Sequence, residues 1–281
     1  MTQAIRIAAA AAHFGRDVAR SVERIGMVIS VARKASADLL VLPHAALGGY
    51  LADLRSPDPD SLPPAILADS ATIRQVASLA ESMIVVFGYT EKSDGLRWNS
   101  AVCLSGDGIL GRYRKVHQTP GEALRYAAGD GNAAFDTPLG RMGLLIDYDK
   151  TFPEAARSLA LDDAQIIACP AAWPASVTQR AARMARDRQS RLFDLYDQAR
   201  AAENQLVWVS ANQTGSFGGL QFLGQSKVVG PGGDVLARTW AKAGLAVAEI
   251  DVEAEIKRAR LVLHHVTELR PDTYRSVPRK P

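Results

Sequence analysis

The stretch GLLIDYDKTFPE, residues 143–154, combines a predicted buried strand with polar groups that could do chemistry. Its apolar run from Met142 to Ile146 predicts the strand, and Pro153 is typical of the first turn of a helix. Where a strand turns sharply into a helix, the chain presents one side chain beside free backbone N–H groups, and enzymes hold nucleophiles at such points. The side chain presented here is the carboxylate of Asp147, and neither Cys nor Ser stands at this turn.

Two further segments place polar side chains where predicted strands end. They are VLPHAALGGY, residues 41–50 with His44, and GRYRKVHQTPGE, residues 111–122 with Lys115 and Glu122. Imidazole and carboxyl groups take up and release protons, and an ammonium stabilises negative charge on a carbonyl oxygen. If these side chains share a pocket with Asp147, we expect opposite charges to lower the carboxylate pKa values and to keep Lys115 charged.

The elements that must position these groups alternate between strand and helix along the first half of the chain. In order, the sequence predicts a strand at AIRIAAAAA, a helix over residues 17–36, a strand at DLLVLP, a helix over about 65–82, and the three strands MIVVFGYTEK, NSAVCLS and GILGRYRK. After the strand that ends near Asp147 and its helix, Glu154 to Leu161, the sequence predicts the strand AQIIACP, a long amphipathic helix from about 177 to 204, and the strands QLVWVSAN, SKVVG, VLART and LAVAEID. This order predicts a layered α/β architecture with a mixed sheet.

Length and composition set the bounds for the class of protein. With 281 residues, 47% of them hydrophobic and 22% charged, the chain is long enough to bury a large core, and we expect a single domain over 1–281 with a C-terminal extension at about 262–281. No apolar stretch reaches the roughly 18 residues that a membrane span needs. The N-terminal segment has no basic leader followed by a cleavable apolar region, so we expect a cytoplasmic protein without a membrane partner.

The net charge of +3 is a mild excess of base. Arginines cluster between Arg180 and Arg191, but they lie in a predicted helix with interspersed acids, so a solvated helix face is favoured and no nucleic-acid partner is expected. Cys103 and Cys169 lie in separate apolar runs and are predicted to be small buried hydrophobes without a disulfide.

Four further segments in the second half of the chain belong with the three segments above. Together with CPAAWP (169–174), RAAENQLVWVSANQTG (200–215), GQSKVVGPGGDVLA (224–237) and LRPDTYR (269–275), they resemble the nitrilase superfamily, the carbon–nitrogen hydrolases. The resemblance covers nearly the whole chain, and its segments keep the family's order and spacing. It implies a four-layer α-β-β-α sandwich, no cofactor, and assembly into a homodimer or higher homo-oligomer.

The resemblance also assigns roles to individual residues. Lys115 stands at the family's oxyanion-stabilising Lys and Glu122 at its second, assisting Glu. His44 stands where the family has its general-base Glu, and Asp147 where it has its nucleophilic Cys. The residues implied to bind substrate or ligand are Tyr50, His117, Tyr148 and Trp173.

These departures leave several hypotheses open. A carboxylate is a far weaker nucleophile than a thiolate, so acyl-enzyme amidase or nitrilase chemistry is disfavoured. The first hypothesis is a pocket that binds a small molecule or supports a protein partner without catalysis. The second is an enzyme with altered chemistry, in which His44, Lys115, Asp147 and Glu122 transform a small amide, nitrile or related substrate by acid/base catalysis.

Two less favoured alternatives complete the set. A metal bound by His44, Asp147 and Glu122 has suitable ligands, but the neighbouring ammonium of Lys115 opposes a cation, so no metal is predicted. An ordinary hydrolase carrying laboratory substitutions would need two different replacements at once.

Overall fold

The computed structural model describes residues 4–274, which form two six-stranded sheets and a short hairpin. The first sheet contains β1 (Ile5–Ala11), β2 (Leu39–Val41), β3 (Ile84–Ser93), β4 (Leu96–Ser105), β5 (Gly108–Arg114) and β14 (Gly244–Ile250). The second contains β6 (Phe135–Thr137), β7 (Gly140–Leu144), β8 (Ile166–Ala171), β9 (Val207–Asn212), β12 (Lys227–Val229) and β13 (Val235–Arg238), while β10 (Ser216–Phe217) and β11 (Leu220–Gln221) form the hairpin.

Both sheets are mixed, as the alternation of strands and helices predicts. The first has the order β14-β1-β2-β3-β4-β5 and the second the order β13-β12-β9-β8-β7-β6. In each sheet the central three strands, β1-β2-β3 and β7-β8-β9, run parallel, and the strands outside them pair antiparallel. Parallel neighbours require crossover connections, and these connections carry the helices that cover the sheets.

Six α-helices lie among the described residues. They are α1 (Val18–Lys34), α2 (Ala71–Ala80), α3 (Pro120–Ala123), α4 (Pro153–Leu161), α5 (Arg188–Asn204) and α6 (Val252–Ala259). The helical spacing of Val22, Ile25 and Ile29 gives α1 one apolar face, which packs with α2 against the outer face of the first sheet. Helices α4 and α5 contact each other, and α5 contacts β9 of the second sheet.

The main core lies between the two sheets. Alternate residues of each strand point inward, so that Ile7 and Val41 from the first sheet belong to the same buried cluster as Ile166 and Val209 from the second. The layers therefore run helix, sheet, sheet, helix, and the four-layer α-β-β-α sandwich is confirmed.

The predicted helix over about 177–204 is wrong in its first part, because α5 begins only at Arg188. The carboxylate of Asp187 accepts hydrogen bonds from the backbone N–H groups of Ser176, Ala181 and Gln189, so it folds the preceding segment into a loop and caps the helix. The arginines between residues 180 and 186 consequently lie on this loop, and the interpretation of the whole cluster as one helix face is wrong as well.

The start of α2 also differs from the sequence interpretation, and several short elements were not predicted. Helix α2 begins at Ala71 rather than near residue 65, because the hydroxyl of Ser70 caps it by accepting from the N–H of Ile73. Strands β6, β10 and β11 and helices α3 and α6 were not predicted.

The segment after α6 contains a 3-10 turn at Pro271–Thr273. The end of the predicted C-terminal extension, 275–281, lies outside the described residues. Within residues 4–274, no helix combines the length and the apolar character that crossing a membrane requires.

Candidate active site

The loops that follow β2, β5 and β7 bring four polar side chains together, and we call them the site cluster: His44, Lys115, Glu122 and Asp147. Each is at least 96% buried, with exposed fractions of 1%, 0%, 0% and 4% respectively. Ligand atoms of His44, Glu122 and Asp147 lie within 4.8 Å of one another. Residues that are far apart in the sequence thus share one small polar space at an edge of the sandwich.

Lys115 and Glu122 form the closed half of the site cluster. The ammonium donates to Glu122 Oε1 at 2.8 Å and to Oε2 at 2.7 Å. Glu122 Oε1 also accepts from the hydroxyl of Tyr50 at 2.7 Å and from Nδ2 of Asn99 at 2.8 Å, and Oε2 accepts from the N–H of Thr119 at 2.8 Å. Both carboxylate oxygens are therefore fully used.

This pair keeps both of its charges. Burial opposes ionisation of Glu122, but the Lys115 ammonium and the donated hydrogen bonds hold the pKa of Glu122 below its usual range. Burial likewise works against the ammonium, but the carboxylates of Glu122 and Asp147 raise the pKa of Lys115. The expected charge states are confirmed for these two residues.

The sequence TPGE sets the position of Glu122. Thr119 is the N-cap of α3, Pro120 is in its first turn, and Glu122 is the third helical residue. In such a capping box the Glu side chain reaches back to the N-cap N–H. Here the same carboxylate also receives the ammonium of Lys115, so the start of α3 fixes the ion pair.

Asp147 forms the open half of the site cluster. It follows β7 in the left-handed region with φ of 45°, a conformation that Asp tolerates better than most residues. Its Oδ1 accepts from the N–H of Ala172 at 2.5 Å. Its Oδ2 lies 3.7 Å from Nζ of Lys115 and has no hydrogen-bond partner among the described residues.

The expected lowering of the carboxylate pKa is wrong for Asp147. Burial raises the pKa of Asp147 to about 7, even though Lys115 acts in the opposite direction. The reason is that Lys115 makes its hydrogen bonds to Glu122 and leaves the second oxygen of Asp147 without a donor. The sequence interpretation treated the two carboxylates as equal partners of one ammonium.

The imidazole of His44 packs against the backbone of β3 at Gly88, which has no side chain. A Cβ atom at position 88 would lie 2.3 Å from its Nδ1, so Gly88 of β3 leaves the room that the imidazole occupies. Neither ring nitrogen has a hydrogen-bond partner among the described residues, and Asp147 therefore does not orient the ring. Burial, together with Lys115, lowers the pKa of His44 to about 3, so the imidazole is neutral near pH 7.

A cavity of about 220 Å³ opens onto the site cluster. Its lining includes Lys115 and Asp147, three residues that the resemblance assigns to ligand binding (Tyr50, Tyr148 and Trp173), and Leu54, Thr119, Ser176, Val177 and Gln189. The indole N–H of Trp173 donates to Gln189 Oε1 at 3.0 Å, which fixes that wall. The other wall is Tyr50, whose hydroxyl is held by Glu122.

His117, the fourth residue assigned to ligand binding, lies outside this lining. Its backbone N–H and its Nδ1 both lie 2.9 Å from Oδ1 of Asp149, and its ring stacks on Phe152 with the ring centroids 3.8 Å apart. Asp149 Oδ2 accepts from the hydroxyl of Tyr113 and the N–H of Ile146. His117 is thus part of the support behind the turn that carries Asp147.

Among the residues of the site that the sequence interpretation did not assign are Asn99, Asp149 and Gln189. Asn99 is the first residue of the predicted strand NSAVCLS, and a polar amide next to a buried apolar run is a signal for a buried hydrogen bond that could have been used. Gln189 had no such signal, because its position depends on the start of α5.

A second buried group of charges lies beneath α5, and we call it the Asp197 cluster: Lys150, Asp197, Trp208, Ser210 and Lys227. Asp197 Oδ1 accepts from Lys150 at 2.8 Å, from Trp208 Nε1 at 2.9 Å and from the Ser210 hydroxyl at 2.7 Å, and Oδ2 accepts from Lys227 at 2.8 Å. Both ammonium groups also lie over the ring of Phe193, at 3.2 Å and 4.1 Å from its centroid. This cluster was not predicted.

Comparison with known protein families matches residues 6–259 to the carbon-nitrogen hydrolase family. The chain is 31% identical over 227 residues to a nitrilase from Pyrococcus abyssi, covering 80% of this chain and 81% of that protein. It is 33% identical over 234 residues to an (R)-stereoselective amidase from a Pseudomonas species, covering 79% of this chain and 76% of that protein.

Solved structures show the same fold. A carbon-nitrogen hydrolase from Helicobacter pylori G27 superposes with a TM-score of 0.83 at 26% identity, covering 97% of each chain. An amidase from Nesterenkonia sp. AN1 superposes with a TM-score of 0.76 at 22% identity, covering 96% of this chain and 95% of that one. That amidase carries the acetamide moiety of fluoroacetamide as a covalent addition at its active site cysteine.

Proposed function

Because the chain belongs to the carbon–nitrogen hydrolase family of the nitrilase superfamily, we propose that its cavity binds a small molecule without forming an acyl-enzyme. The observation that carries this proposal is the carboxylate of Asp147 at the turn after β7, beside the ammonium of Lys115. In this proposal Asp147 replaces the family's Cys, and His44 replaces its general-base Glu.

The chemistry of the two groups supports the loss of covalent catalysis. A thiolate attacks an amide or nitrile carbon and gives a thioester that water hydrolyses. Attack by Asp147 would give a mixed anhydride and would have to expel an amine, which is a far poorer leaving group. The position of Lys115 adds to this, because an ammonium that donates twice to Glu122 has less attraction left for an oxyanion.

Neither cysteine substitutes for the missing thiol. Cys103 and Cys169 are both free and fully buried within the core between the sheets. Burial raises the pKa of Cys103 to about 12, and burial also raises that of Cys169, so neither forms a thiolate near pH 7.

Two measurements on the same compounds test the proposal. The native chain is incubated with a panel of amides, nitriles, carbamoyl compounds and esters, and product formation and the shift in Tm are both recorded. We expect some compounds to raise Tm without turnover. The variant Val177→Trp, which enlarges a side chain of the cavity wall, should weaken these shifts. Turnover by the native chain that Lys115→Ala abolishes would refute the binding-only function.

Restoring the family residues tests the rest of the pocket. The double variant His44→Glu with Asp147→Cys should form an acyl-enzyme with an activated amide or ester, seen as a mass increase of the intact protein. The single variant Asp147→Cys, which lacks the general base, is the matched control and should react more slowly. Absence of any adduct would mean that the surrounding pocket has changed too.

A second candidate function is non-covalent hydrolysis, and the unpaired Oδ2 of Asp147 favours it. With a pKa of about 7, Asp147 can take a proton from a water that attacks a substrate carbonyl, while Lys115 stabilises the oxyanion. Glu122 is unsuited to this step because its oxygens already accept from Lys115, Tyr50, Asn99 and Thr119. His44 is neutral, and its unpaired nitrogens can accept a water hydrogen.

The pH dependence and the Asp147→Asn variant test this candidate. If Asp147 is the base, turnover of a panel compound rises with pH through about 7 and then levels off, and Asp147→Asn abolishes it. Turnover that survives Asp147→Asn would exclude Asp147 as the base.

Two wider proposals rest on the resemblance. We propose that the chain forms a homodimer or higher homo-oligomer, and the exposed apolar side chains of Leu195 on α5 and of Leu261 and Val262 after α6 support it. Sedimentation of the native chain, compared with Leu195→Glu, tests this. A cytoplasmic location stays a prediction from the sequence.

A further inference from the structure

Asp147 presents an unsatisfied acceptor to the cavity. The side chain is 4% exposed, its Oδ1 is used by Ala172, and its Oδ2 has no hydrogen-bond partner among the described residues. A buried acceptor without a donor carries a large desolvation penalty. A ligand that donates an N–H to this oxygen therefore gains more binding free energy than a ligand without such a donor.

The charges around the cavity favour a cation as that donor. Among the described residues, the charged side chains that line it are Lys115 and Asp147, and no arginine does. The charge of Lys115 is balanced by Glu122 at 2.7 Å, whereas Asp147 lies 3.7 Å from the same ammonium. With Asp147 ionised, Lys115, Glu122 and Asp147 together carry one uncompensated negative charge.

The walls of the cavity suit a cation that carries an apolar body. Tyr50, Tyr148 and Trp173 contribute aromatic rings to the lining, and Leu54 and Val177 contribute aliphatic surface. Aromatic faces attract cations, and this attraction grows when water is excluded. A volume of about 220 Å³ holds a small ligand of about the size of one substituted ring.

From this geometry we infer that the cavity selects small ligands with a cationic nitrogen group, such as an amidinium, guanidinium or primary ammonium, which donates to Oδ2 of Asp147. This inference rests on the proposed small-molecule function and names the chemical class of the ligand.

The protonation of Asp147 determines how affinity for a cation should change with pH. Its pKa of about 7 means that a proton neutralises the carboxylate at lower pH, and a bound cation would replace that proton and lower the pKa. Affinity for a cation should therefore rise with pH through about 7. The other titratable groups near Asp147 hold one charge state there: His44 stays neutral, Tyr50 has a pKa raised well above its usual value, and Lys115 and Glu122 stay ionised. Lys150, whose pKa burial lowers, is the remaining charged group that acts on Asp147.

The test uses benzamidine, benzamide and benzoate, which have nearly the same shape and are cationic, neutral and anionic. Their dissociation constants are measured by calorimetry on the full native chain at about pH 8.5 and about pH 5.5, on either side of the pKa of Asp147. The variant Asp147→Asn keeps the shape and removes the charge. Asp107→Asn, in the exposed turn at the far end of β4 from Asn99, removes the same charge away from the cavity and is the matched control.

We expect benzamidine to bind the native chain at least about tenfold tighter than benzamide at the higher pH, and benzoate to bind weakest. The affinity of the native chain for benzamidine should fall at least about tenfold at the lower pH. Asp147→Asn should weaken benzamidine binding to a similar extent, and Asp107→Asn should leave it unchanged. The pH series on the native chain remains decisive if Asp147→Asn does not fold.

Several outcomes would overturn the inference. Benzamide or benzoate binding as tightly as benzamidine, or benzamidine binding that does not change with pH or with Asp147→Asn, excludes selection for cations while leaving the small-molecule function in place. Tighter binding of benzamide at the lower pH would instead assign Asp147 as a protonated donor to a neutral carbonyl. No binding by any of the three probes also refutes the cationic class, whereas the small-molecule function is decided by the Tm panel with Val177→Trp.

Discussion

The two buried charge clusters of this molecule both combine lysine ammonium groups with carboxylates, but they differ in how completely their polar atoms are paired. In the Asp197 cluster every carboxylate oxygen of Asp197 has a donor, and the group is sealed beneath α5. In the site cluster Oδ2 of Asp147 and both ring nitrogens of His44 have no partner among the described residues, and a cavity opens beside them. Saturated polar networks hold structure together, whereas unsaturated ones leave atoms available to a ligand.

The electrostatics follow the same division. Burial opposes ionisation of Asp197, but Lys150 and Lys227 together lower its pKa. Asp147 shares its ammonium with a better-placed competitor, and burial therefore dominates and raises its pKa to about 7. Burial alone is thus a poor guide to the charge of a carboxylate, because the number of donors that reach it decides the outcome.

The largest effect is expected from Asp197→Asn in the saturated cluster. Removing this charge leaves Lys150 and Lys227 buried without their shared partner, and we expect a loss of about 3–5 kcal/mol in the free energy of unfolding. Urea denaturation measures it. The matched control is Asp107→Asn, in the exposed turn between β4 and β5, where a loss below about 1 kcal/mol is expected. Equal losses in the two variants would contradict the assignment of Asp197 as the centre of the cluster.

Asp147→Asn in the site cluster is expected to increase the free energy of unfolding rather than to decrease it. Folding raises the pKa of Asp147 from an ordinary value of 3.8 to about 7, so the contribution of protonated Asp147 to stability is full below about pH 4 and is lost as the pH rises through about 7. Asn does not ionise and avoids this loss. The variant should match the native chain near pH 4 and exceed its stability by about 2–4 kcal/mol near pH 8.

Urea denaturation as a function of pH measures this difference. Asp107→Asn makes the same carboxylate-to-carboxamide change at an exposed position, and its free energy of unfolding should equal that of the native chain at every pH. A native chain that is as stable as Asp147→Asn above pH 7 would mean that Asp147 has a donor in solution, and the contrast between the two clusters would then disappear.

A moderate loss is expected from Ser210→Ala. The Ser210 hydroxyl donates to Asp197 Oδ1 at 2.7 Å in a site without solvent, and its removal leaves that oxygen with one donor fewer. We expect a loss of about 1–3 kcal/mol, measured by urea denaturation. Ser78→Ala on the exposed face of α2 is the control and should change stability by less than about 0.5 kcal/mol. A neutral Ser210→Ala would show that the Asp197 cluster has donors to spare.

The smallest effect is expected from His44→Met. The imidazole is buried with two unpaired nitrogens, so an apolar side chain of similar volume removes unsatisfied atoms at the expense of the edge contact with Tyr50. The net change in the free energy of unfolding should be below about 1 kcal/mol. Thermal and urea unfolding both report it. A loss comparable to that of Asp197→Asn would mean that His44 is as firmly bonded as the residues beneath α5.

The parts of the fold that the sequence predicts are those set by local pattern. Apolar runs such as those of β2 and β8 identify buried strands, and the spacing of Val22, Ile25 and Ile29 identifies α1. The family resemblance assigned Lys115 and Glu122 to the site, and the structure shows that a capping box within a few residues of the lysine positions Glu122. The family resemblance supplied the four layers.

The features of the fold and the site that the sequence did not predict depend on contacts between residues that are distant in the chain. The start of α5 depends on the carboxylate of Asp187 turning back to Ser176, and nothing in the helical spacing indicates this. Lys150, Asp197 and Lys227 come from three separate elements, so no motif marks them as partners. The pKa of Asp147 depends on which carboxylate the ammonium of Lys115 contacts, and a difference of about an ångström between 2.7 and 3.7 Å decides it.

The carboxylate of Asp187 has one more consequence for the cavity. It fastens the stretch that begins at Ser176, next to Val177 in the cavity wall, to the first residues of the helix that also carries Asp197. A ligand too wide for the present space would press on this stretch, and the hydrogen bonds of Asp187 would resist its displacement. We therefore expect removal of the Asp187 carboxylate to loosen this part of the cavity wall and to broaden the range of molecules that the cavity admits.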